Sequence, residues 1–498
     1  MDKKYIIALF IIILSIGAFL RFYGIGNESL RLDEGATALA VKIHTMKDLL
    51  NNIYTKGQIL PEYYNNNLDF PVYYAILKFW SGIFGLSEVS LRSVSAIFGS
   101  LSIILVYLVA EELYNANIGI ISAFMLALHP ILIEYSQEAR LYSFIIFVAL
   151  ASGYYLVKFI RSNKNIHLAM YILSNLAGIY TGPIFIFFLV FEALYVMYLS
   201  SFDYIRTRKI KIAKIHVSFL IFFAAYLPLA WEFLHPKFLP VHYAGKLSIA
   251  KIIKMFFEMS TWLYPSPGLK FKLSTMQLYL LSLSDWMLIA SVALIAALLF
   301  IFFLKSASKI KIARKNPHIF LIMWIFLPLL THFIVLYRSI STFGTIVYVI
   351  YIIPAYLILI SAGIYGLKTK NLIAVLALFS ILSIAPLSSY YLNVNYPQYR
   401  EATAFLEQNT GKGDLIIVNI PSVRVPLDYY SKKLADVYGI SNVEEAQEKA
   451  RNSQSVWLVL STKYSDPDGM IKKYFDKNYK LVKSKEDLFE ISLYHYIR

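Results

Sequence analysis

The sequence predicts an all-α polytopic membrane protein with about 11 transmembrane helices, followed by a small C-terminal α/β domain outside the cytoplasm. Of the 498 residues, 58% are hydrophobic and the mean hydropathy is +0.58, which is more apolar surface than a soluble fold can bury. The net charge of +16 lies in short loops between apolar stretches, so nucleic acid is not expected as a partner. The absence of cysteine excludes disulfides and thiolate metal sites.

Basic clusters between the apolar stretches set the orientation. They lie at residues 3–4, 158–167, 206–216, 305–318 and 368–370, and the positive-inside rule places them in the cytoplasm. Transmembrane helices are then predicted at residues 5–22, 90–110, 117–134, 141–157, 166–181, 182–201, 213–233, 284–304, 319–337, 343–366 and 371–390. A multi-pass cell-membrane protein with a cytoplasmic N-terminus and an extracytoplasmic C-terminal domain is therefore expected.

Two domains are expected, a transmembrane domain over residues 1–394 and an α/β domain over residues 395–498. The first external loop (24–89) contains a short apolar stretch broken by Pro71, which is predicted to be an interfacial or re-entrant helix. The second large external loop covers 235–284. In the C-terminal domain, periodicity predicts helices at 397–409, 443–450 and 468–478 and strands at 415–420, 456–461, 479–483 and 488–497. No catalytic cluster is visible there, so this domain is interpreted as a cap or docking platform.

The segment Arg31-Leu32-Asp33-Glu34 lies a few residues beyond the first predicted transmembrane helix. Two adjacent carboxylates and an arginine at the membrane–water boundary can meet both a soluble substrate and a lipid head group. A carboxylate placed there can deprotonate a hydroxyl. The alternative is an ordinary acidic pair at a helix N-terminus, where the helix dipole favours negative charge.

A second external motif runs from Glu134 to Tyr142. Arg140 offers a planar fork of donors suited to a phosphate, and Tyr142 offers a hydroxyl beside it. The alternative is that Arg140 pairs with Glu138 or Glu134 and extends to the interface. The intramembrane Glu192 is either functional or paired with a basic loop near the cytoplasmic end.

The order of these motifs resembles a known family. The Asp-Glu pair after the first span is followed by Asp69-Phe70-Pro71-Val72-Tyr73-Tyr74, by Gly85-Leu86-Ser87-Glu88-Val89-Ser90-Leu91-Arg92, and by Tyr135-Ser136-Gln137-Glu138-Ala139-Arg140-Leu141-Tyr142. This arrangement is similar to that of GT-C glycosyltransferases related to protein O-mannosyltransferases and lipid A aminoarabinose transferases.

The resemblance implies a membrane enzyme that takes a sugar from a polyprenyl-phosphate donor. The sugar would pass to a protein, lipid or glycan acceptor outside the cytoplasm, with inversion at the anomeric carbon. The family's acidic loop residue matches Asp33, with Glu34 beside it, and the arginine of its second motif matches Arg140. Members often carry an Arg-Tyr pair before a proline in a late span. The stretch 347–354 lacks that arginine, and Arg338 is the nearest external candidate.

The predicted site therefore has two parts. Asp33 and Glu34 are the candidate catalytic acids, while Arg140, Tyr142, Arg31 and Arg338 are candidates for the donor phosphate and Glu138 for a supporting role. A lipid phosphate leaves as a stable anion, so one carboxylate base suffices, unlike a glycosidase pair. No residues have metal-ligand spacing, so no cofactor is expected and a divalent metal is the less favoured alternative. The rival hypothesis is a transporter or flippase of lipid-linked sugars without transfer activity, which would place ionisable residues deep in several spans.

Overall fold

The computed structural model describes residues 2–55, 71–208, 213–234, 297, 300–305, 315–338, 346–432, 434, 437–461, 466 and 468–498. The chain forms two compact units. The helical unit comprises Met1–Tyr23, Phe70–Tyr73 and Ser93–Asn393, and the composite unit comprises Gly24–Asp69, Tyr74–Arg92 and Val394–Arg498. The composite unit thus combines segments of the predicted first external loop with the C-terminal segment.

The α-helices of the described residues run in chain order along both units. The first nine are α1 (Lys3–Phe22), α2 (Leu32–Ile43), α3 (Met46–Thr55), α4 (Pro71–Phe84), α5 (Glu88–Leu113), α6 (Ala116–Leu128), α7 (Pro130–Glu134), α8 (Tyr142–Ser162) and α9 (Asn165–Ile179). The others are α10 (Phe185–Thr207), α11 (Ala213–Leu234), α12 (Pro317–Arg338), α13 (Ile353–Ile364), α14 (Thr369–Leu392), α15 (Tyr399–Asn409), α16 (Arg424–Tyr430), α17 (Val443–Ala450) and α18 (Met470–Asn478). Short 3₁₀ helices cover Ile346–Ile352 and Pro421–Val423.

Seven helical stretches in the described part of the chain are long and apolar enough to cross a membrane. They are Lys3–Phe22, Glu88–Leu113, Tyr142–Ser162, Phe185–Arg206, Pro317–Ile334, Ile346–Ile364 and Thr369–Leu392. The spans predicted at 117–134, 166–181 and 213–233 coincide with α6–α7, α9 and α11. The second external loop and most of the span at 284–304 lie outside the described residues. The polytopic helical architecture is confirmed, and the total of eleven spans stays a prediction.

Aromatic packing holds the middle of the helical unit together. Trp324 of α12 is fully buried, and its indole N–H donates to the carbonyl oxygen of Tyr351 at 3.0 Å. A Cβ at Gly153 of α8 would lie 2.4 Å from the Trp324 ring. Glycine therefore lets α8 approach this ring closely.

The helix predicted around Pro71 is also present, as α4, and its interfacial position stays a prediction.

The C-terminal segment of the composite unit contains a five-stranded sheet. Its strands are β1 (Leu415–Val418), β2 (Val437–Gly439), β3 (Ser455–Ser461), β4 (Lys480–Leu488) and β5 (Ile491–Ile497), in the order β2-β1-β3-β5-β4. β1 is parallel to β2 and β3, whereas β5 is antiparallel to β3 and β4. Successive residues of each strand pack into two different hydrophobic cores, with Ile416 and Trp457 in one and Ile417 and Leu458 in the other. The α/β class expected from the sequence is confirmed.

Candidate functional site

The acid loop, defined as residues 24–34, is tied down by a buried ion pair. Glu34 lies in the first turn of α2 and its carboxylate accepts from the Arg31 backbone N–H at 3.0 Å, as in a capping box. Both oxygens of the same carboxylate accept from Arg92 at 2.8 Å, one from Nε and one from Nη2. The side chains of Glu34 and Arg92 are 0% and 2% exposed. Glu34 is therefore committed to holding the loop.

Arg92, near the start of α5, places all five of its N–H donors on this segment. Besides the two bonds to Glu34, Nη1 donates to the carbonyl oxygens of Ile25 and Glu28 at 3.0 and 2.9 Å. Nη2 also donates to the Ser29 carbonyl oxygen at 2.9 Å. A guanidinium offers five donors in a fixed plane, so this set fully occupies the side chain. Arg92 therefore restrains the acid loop at four of its residues.

Asp33 differs from Glu34 in its surroundings. It occupies the first turn of α2 and is exposed, and its backbone carbonyl accepts from the Thr37 hydroxyl at 3.1 Å. Burial raises the pKa of Tyr399 to about 12, and the negative charges of Glu490 and Asp33 add to that effect. Neighbouring carboxylates thus have opposite environments, one buried and ion-paired, the other facing solvent.

The C-terminal segment contributes further contacts to the acid loop. The Glu28 carboxylate accepts from the backbone N–H groups of Asn395 and Tyr396 at 2.9 and 2.8 Å and from the Asn395 side-chain amide at 2.8 Å. Burial raises the pKa of Glu28, although these hydrogen bonds oppose the shift. The Arg31 guanidinium lies 4.8 Å from the centre of the Tyr396 ring, which is cation–π distance.

Helix α2 is also held close to α16 of the C-terminal segment. A Cβ at Gly35 would lie 3.2 Å from the Cα of Pro426, which is a tight approach of two backbones. A side chain directly after Glu34 would require Pro426 to shift by a few tenths of an ångström. The position of the exposed Asp33 therefore depends on close packing as well as on charge.

The arginine loop, defined as residues 134–142, belongs to the helical unit and connects α7 to α8. The Gln137 side-chain amide donates to the carbonyl oxygens of Leu20, Arg21 and Tyr23 at 3.0, 3.2 and 2.8 Å. These are acceptors that the end of α1 leaves without helical partners. One buried amide thus attaches the loop to the end of the first helix.

Hydroxyl groups fix the rest of the arginine loop. The Arg140 carbonyl oxygen accepts from the Ser95 hydroxyl of α5 at 3.0 Å, and Ser95 is within 2.7 Å of the Tyr73 hydroxyl. The Ser143 hydroxyl donates to the Tyr135 carbonyl oxygen at 2.9 Å. Gly99 is required beside this loop, since a Cβ there would lie 2.1 Å from the Ser136 hydroxyl oxygen. The backbone that carries Arg140 is therefore well defined.

The side chains of the arginine loop differ in exposure. Arg140 and Tyr142 are partly exposed, and the Tyr142 ring packs edge-on against Tyr135 with centroids 5.0 Å apart. Glu134 and Glu138 are 5% and 3% exposed. The pairing of Arg140 with either acid stays a prediction. Arg140 is thus a partly exposed residue on a fixed loop.

Glu192 is fully buried in the helical unit. Its carboxylate accepts from the Ser152 hydroxyl at 2.6 Å and from the Tyr171 hydroxyl at 3.0 Å. Asn175 donates to the Ser152 hydroxyl oxygen at 2.7 Å. The alternative of a partner in a neighbouring basic loop is therefore wrong, because uncharged side chains of α8 and α9 satisfy this acid.

The predicted site residues fall into both units. Asp33, Glu34 and Arg31 belong to the composite unit, and Arg140, Tyr142 and Glu138 to the helical unit. Arg338 is the last residue of α12. Within the described residues, no group of three or more His, Asp or Glu side chains has a metal-binding arrangement. Arg92 is absent from the site predicted from the sequence, although it is the last residue of the motif at residues 85–92. An arginine close to the start of an apolar helix was the feature of the sequence that could have identified it.

The fold formed by these elements is that of the GT-C class of membrane glycosyltransferases, as expected from the sequence. The crystal structure of ArnT from Cupriavidus metallidurans in the apo state matches with a TM-score of 0.63 at 11% identity, over 97% of each chain. The same protein bound to undecaprenyl phosphate matches with a TM-score of 0.59 at 13% identity, over 99% of this chain and 98% of that one. The chain is thus a multi-pass membrane protein with a GT-C fold.

Two further comparisons agree with this fold. The archaeal oligosaccharyltransferase AglB from Archaeoglobus fulgidus, in complex with an inhibitory peptide and a dolichol-phosphate, matches with a TM-score of 0.54 at 14% identity. That match covers 98% of this chain and 74% of AglB. Residues 69–231 match the family model described as dolichyl-phosphate-mannose-protein mannosyltransferase. No curated protein matches the chain by sequence.

Proposed function

We propose that the protein is a glycosyltransferase that moves a sugar from a polyprenyl-phosphate donor to a hydroxyl of a protein, lipid or glycan acceptor. Transfer takes place on the extracytoplasmic face and inverts the anomeric carbon. The GT-C fold and the family match over residues 69–231 support the donor class. A relative bound to undecaprenyl phosphate and another bound to a dolichol-phosphate support a lipid phosphate as the carrier.

The observation that carries this proposal is the division between the two acids of α2. Glu34 is buried against Arg92, whereas its neighbour Asp33 is exposed in the first turn of α2, at the end of a segment held by many hydrogen bonds. A general base must reach its substrate from a fixed position. Asp33 meets that requirement, and Glu34 serves as a positioning residue for it.

In the proposed reaction, Asp33 takes the proton of the acceptor hydroxyl. The hydroxyl oxygen forms a bond to the anomeric carbon while the bond from that carbon to the phosphate oxygen breaks. The electron pair of the broken bond stays with the lipid phosphate, which leaves as an anion. No group needs to protonate this leaving group, so its charge is best met by fixed cationic donors.

Arg140 is the proposed donor to the departing phosphate. Its guanidinium can place two parallel N–H groups on two phosphate oxygens, which a lysine cannot do. Tyr142 adds a hydroxyl from the start of α8, and Arg31 and Arg338 are secondary candidates. The inverting course follows if the acceptor and the phosphate occupy opposite faces of the sugar. We propose that this chemistry needs no metal ion.

The experiment uses the detergent-purified protein with radiolabelled polyprenyl-phosphate sugars and extracts of extracytoplasmic acceptors. Release of free lipid phosphate together with labelled acceptor supports a transferase. In proteoliposomes, movement of the labelled lipid across the bilayer without cleavage would instead support the flippase alternative and overturn the proposal.

A pair of matched variants tests the role of Asp33. Asp33→Asn keeps the shape of the side chain but cannot take the proton, so transfer should fall by about 10²–10⁴-fold. Asp48→Asn makes the same change at an exposed aspartate in the first turn of α3 and should leave transfer unchanged. Near-normal transfer by Asp33→Asn would show that the base lies elsewhere. It would be Glu34 if Glu34→Gln lost transfer, and Glu138 would be the next candidate if both variants were normal.

A further inference from the structure

We infer that the C-terminal segment, residues 394–498, positions the acid loop, with Tyr430 and Arg400 as positioning residues for Asp33. The inference rests on the proposed function and deepens it. A segment interpreted from sequence as a cap or docking platform would then be part of the catalytic machinery. All of the contacts that support it lie within the composite unit.

Tyr430, the last residue of α16, bridges two parts of the composite unit. Its hydroxyl oxygen accepts from the Leu30 backbone N–H at 2.7 Å, and its O–H donates to the Glu88 carboxylate at 2.9 Å. Leu30 is three residues before Asp33. Burial keeps the pKa of Tyr430 far above its ordinary value, so the hydroxyl stays protonated and continues to donate. This bridge thus fixes the backbone directly before the first turn of α2, which carries Asp33.

Arg400 of α15 holds the same loop at other points. Its guanidinium donates to the Asn27 carbonyl oxygen at 3.0 Å and to the Glu88 carboxylate at 3.0 Å. Its backbone N–H donates to the Ser29 hydroxyl oxygen at 3.2 Å, and the Ser29 hydroxyl donates to the Glu401 carboxylate at 2.7 Å. Two residues of the acid loop, Asn27 and Ser29, and the adjacent Glu88 of α5 are therefore bonded to one helix of the C-terminal segment.

The acid loop needs such supports because its residues 24–31, before the start of α2, have no regular structure of their own. Between the end of α1 at Phe22 and the start of α2 at Leu32 there are only turns and extended residues. Catalytic groups must be held to within about 0.5 Å of the productive geometry. Arg92 supplies one set of restraints, and the C-terminal segment supplies a second set from the opposite end of the sequence.

The decisive variant is Tyr430→Phe, which removes only the bridging oxygen. We expect kcat to fall about three- to tenfold, the scale of one net hydrogen bond, with an unchanged KM for the lipid donor. In an Asp33→Asn background the same change should have no further effect, because a positioning residue acts through the base. The matched control is Tyr438→Phe, at a 37% exposed tyrosine of β2, which should behave like the unaltered protein.

Hydrogen–deuterium exchange gives a readout that does not depend on activity. The peptide covering residues 24–34 should exchange faster in Tyr430→Phe and in Arg400→Gln, and at the normal rate in Tyr438→Phe. If the unaltered protein and all variants lacked transferase activity, but the two variants still exchanged faster, the proposed function would be wrong. The support of the acid loop by the C-terminal segment would then still stand. An active protein in which Tyr430→Phe changes neither kcat nor exchange would overturn the inference itself.

Discussion

Replacing Glu34 by glutamine should unfold the acid loop, not merely slow the chemistry. The substitution removes the negative charge that faces Arg92 and replaces one acceptor oxygen by an amide N–H₂, which cannot accept from the guanidinium. Two charge-assisted hydrogen bonds of 2.8 Å connect these side chains, which are 0% and 2% exposed. Breaking a buried pair in this way costs about 3–5 kcal/mol, because a buried charge is left uncompensated.

The assay is thermal unfolding of the detergent-purified protein, combined with the transfer rate. Glu34→Gln should lower the unfolding midpoint and the rate together, whereas Asp33→Asn should lower the rate alone. Glu445→Gln is the matched control, since Glu445 makes a similar hydrogen bond to the Ser441 N–H at the start of α17 without a buried cationic partner. There the midpoint should hardly change, because the side-chain oxygen of glutamine can accept from the same N–H.

A double-variant cycle separates the ion pair from general damage. Glu34→Gln combined with Arg92→Met should cost clearly less than the sum of the two single changes, because no unpaired charge remains buried. Strict additivity would refute a direct coupling. A Glu34→Gln protein with a normal unfolding midpoint but little transfer, together with near-normal transfer by Asp33→Asn, would refute the whole assignment and make Glu34 the base.

Four other outcomes are expected. Arg140→Ala should lower kcat/KM at least about tenfold through loss of a charged hydrogen bond. Arg140→Lys should recover only part of the lost kcat/KM, and full activity of Arg140→Ala would instead indicate that Arg140 is a structural residue. EDTA should leave the transfer rate unchanged, and a loss restored by Mg²⁺ or Mn²⁺ would contradict metal-free transfer. In intact cells an impermeant thiol reagent should label Lys412→Cys but not Lys164→Cys, and the reverse result would overturn the topology. Burial raises the pKa of Glu401, but bonds from Ser29 and Arg400 outweigh it and the net pKa is lowered. Glu401 therefore stabilises the loop above its unfolded pKa of about 4.5 and loses that effect as pH falls through the lower folded value. After correction for the intrinsic exchange rate at each pH, acid should therefore reduce the protection of the 24–34 peptide less in Glu401→Gln than in the unaltered protein.

The helical architecture could be predicted from the sequence because it depends on local patterns. Long apolar stretches and basic clusters place α1, α5 and α14 within about three residues of their observed limits, and α8 and α10 within about six. The same holds for most of the sheet, where alternation of apolar residues reveals β1, β3 and β5. Such signals survive in a single sequence because each is contained in one element.

Two elements of the C-terminal segment could not be predicted. β2 has only three residues, Val437–Gly439, at the edge of the sheet, which is too short to show an alternating pattern. Helix α16 has seven residues and contains Pro426, which usually argues against a helix interior. Packing against α2 stabilises this helix, and that packing partner lies almost 400 positions earlier in the chain.

The candidate site could be predicted in its residue types but not in their division of labour. Sequence spacing treats Asp33 and Glu34 as equivalent neighbours. Which of them is buried depends on Arg92, 58 residues further along, and on the C-terminal segment. Pairing between distant charges is a property of the tertiary structure, so one sequence alone cannot assign the base and its support.

The discontinuity of the composite unit imposes an order in time on the synthesis of this protein. The acid loop is translated early, but Asn395, Arg400 and Tyr430, which bond to it, are made only after the intervening helices. At ribosomal speeds of about 5–20 residues per second, the roughly 300 residues between Arg92 and Val394 take about 15–60 s. During that interval the nascent chain has its carboxylates but not the supports that aim them. Under the proposed mechanism, a chain released before its last hundred residues would therefore be inserted but would lack the contacts that hold the acid loop.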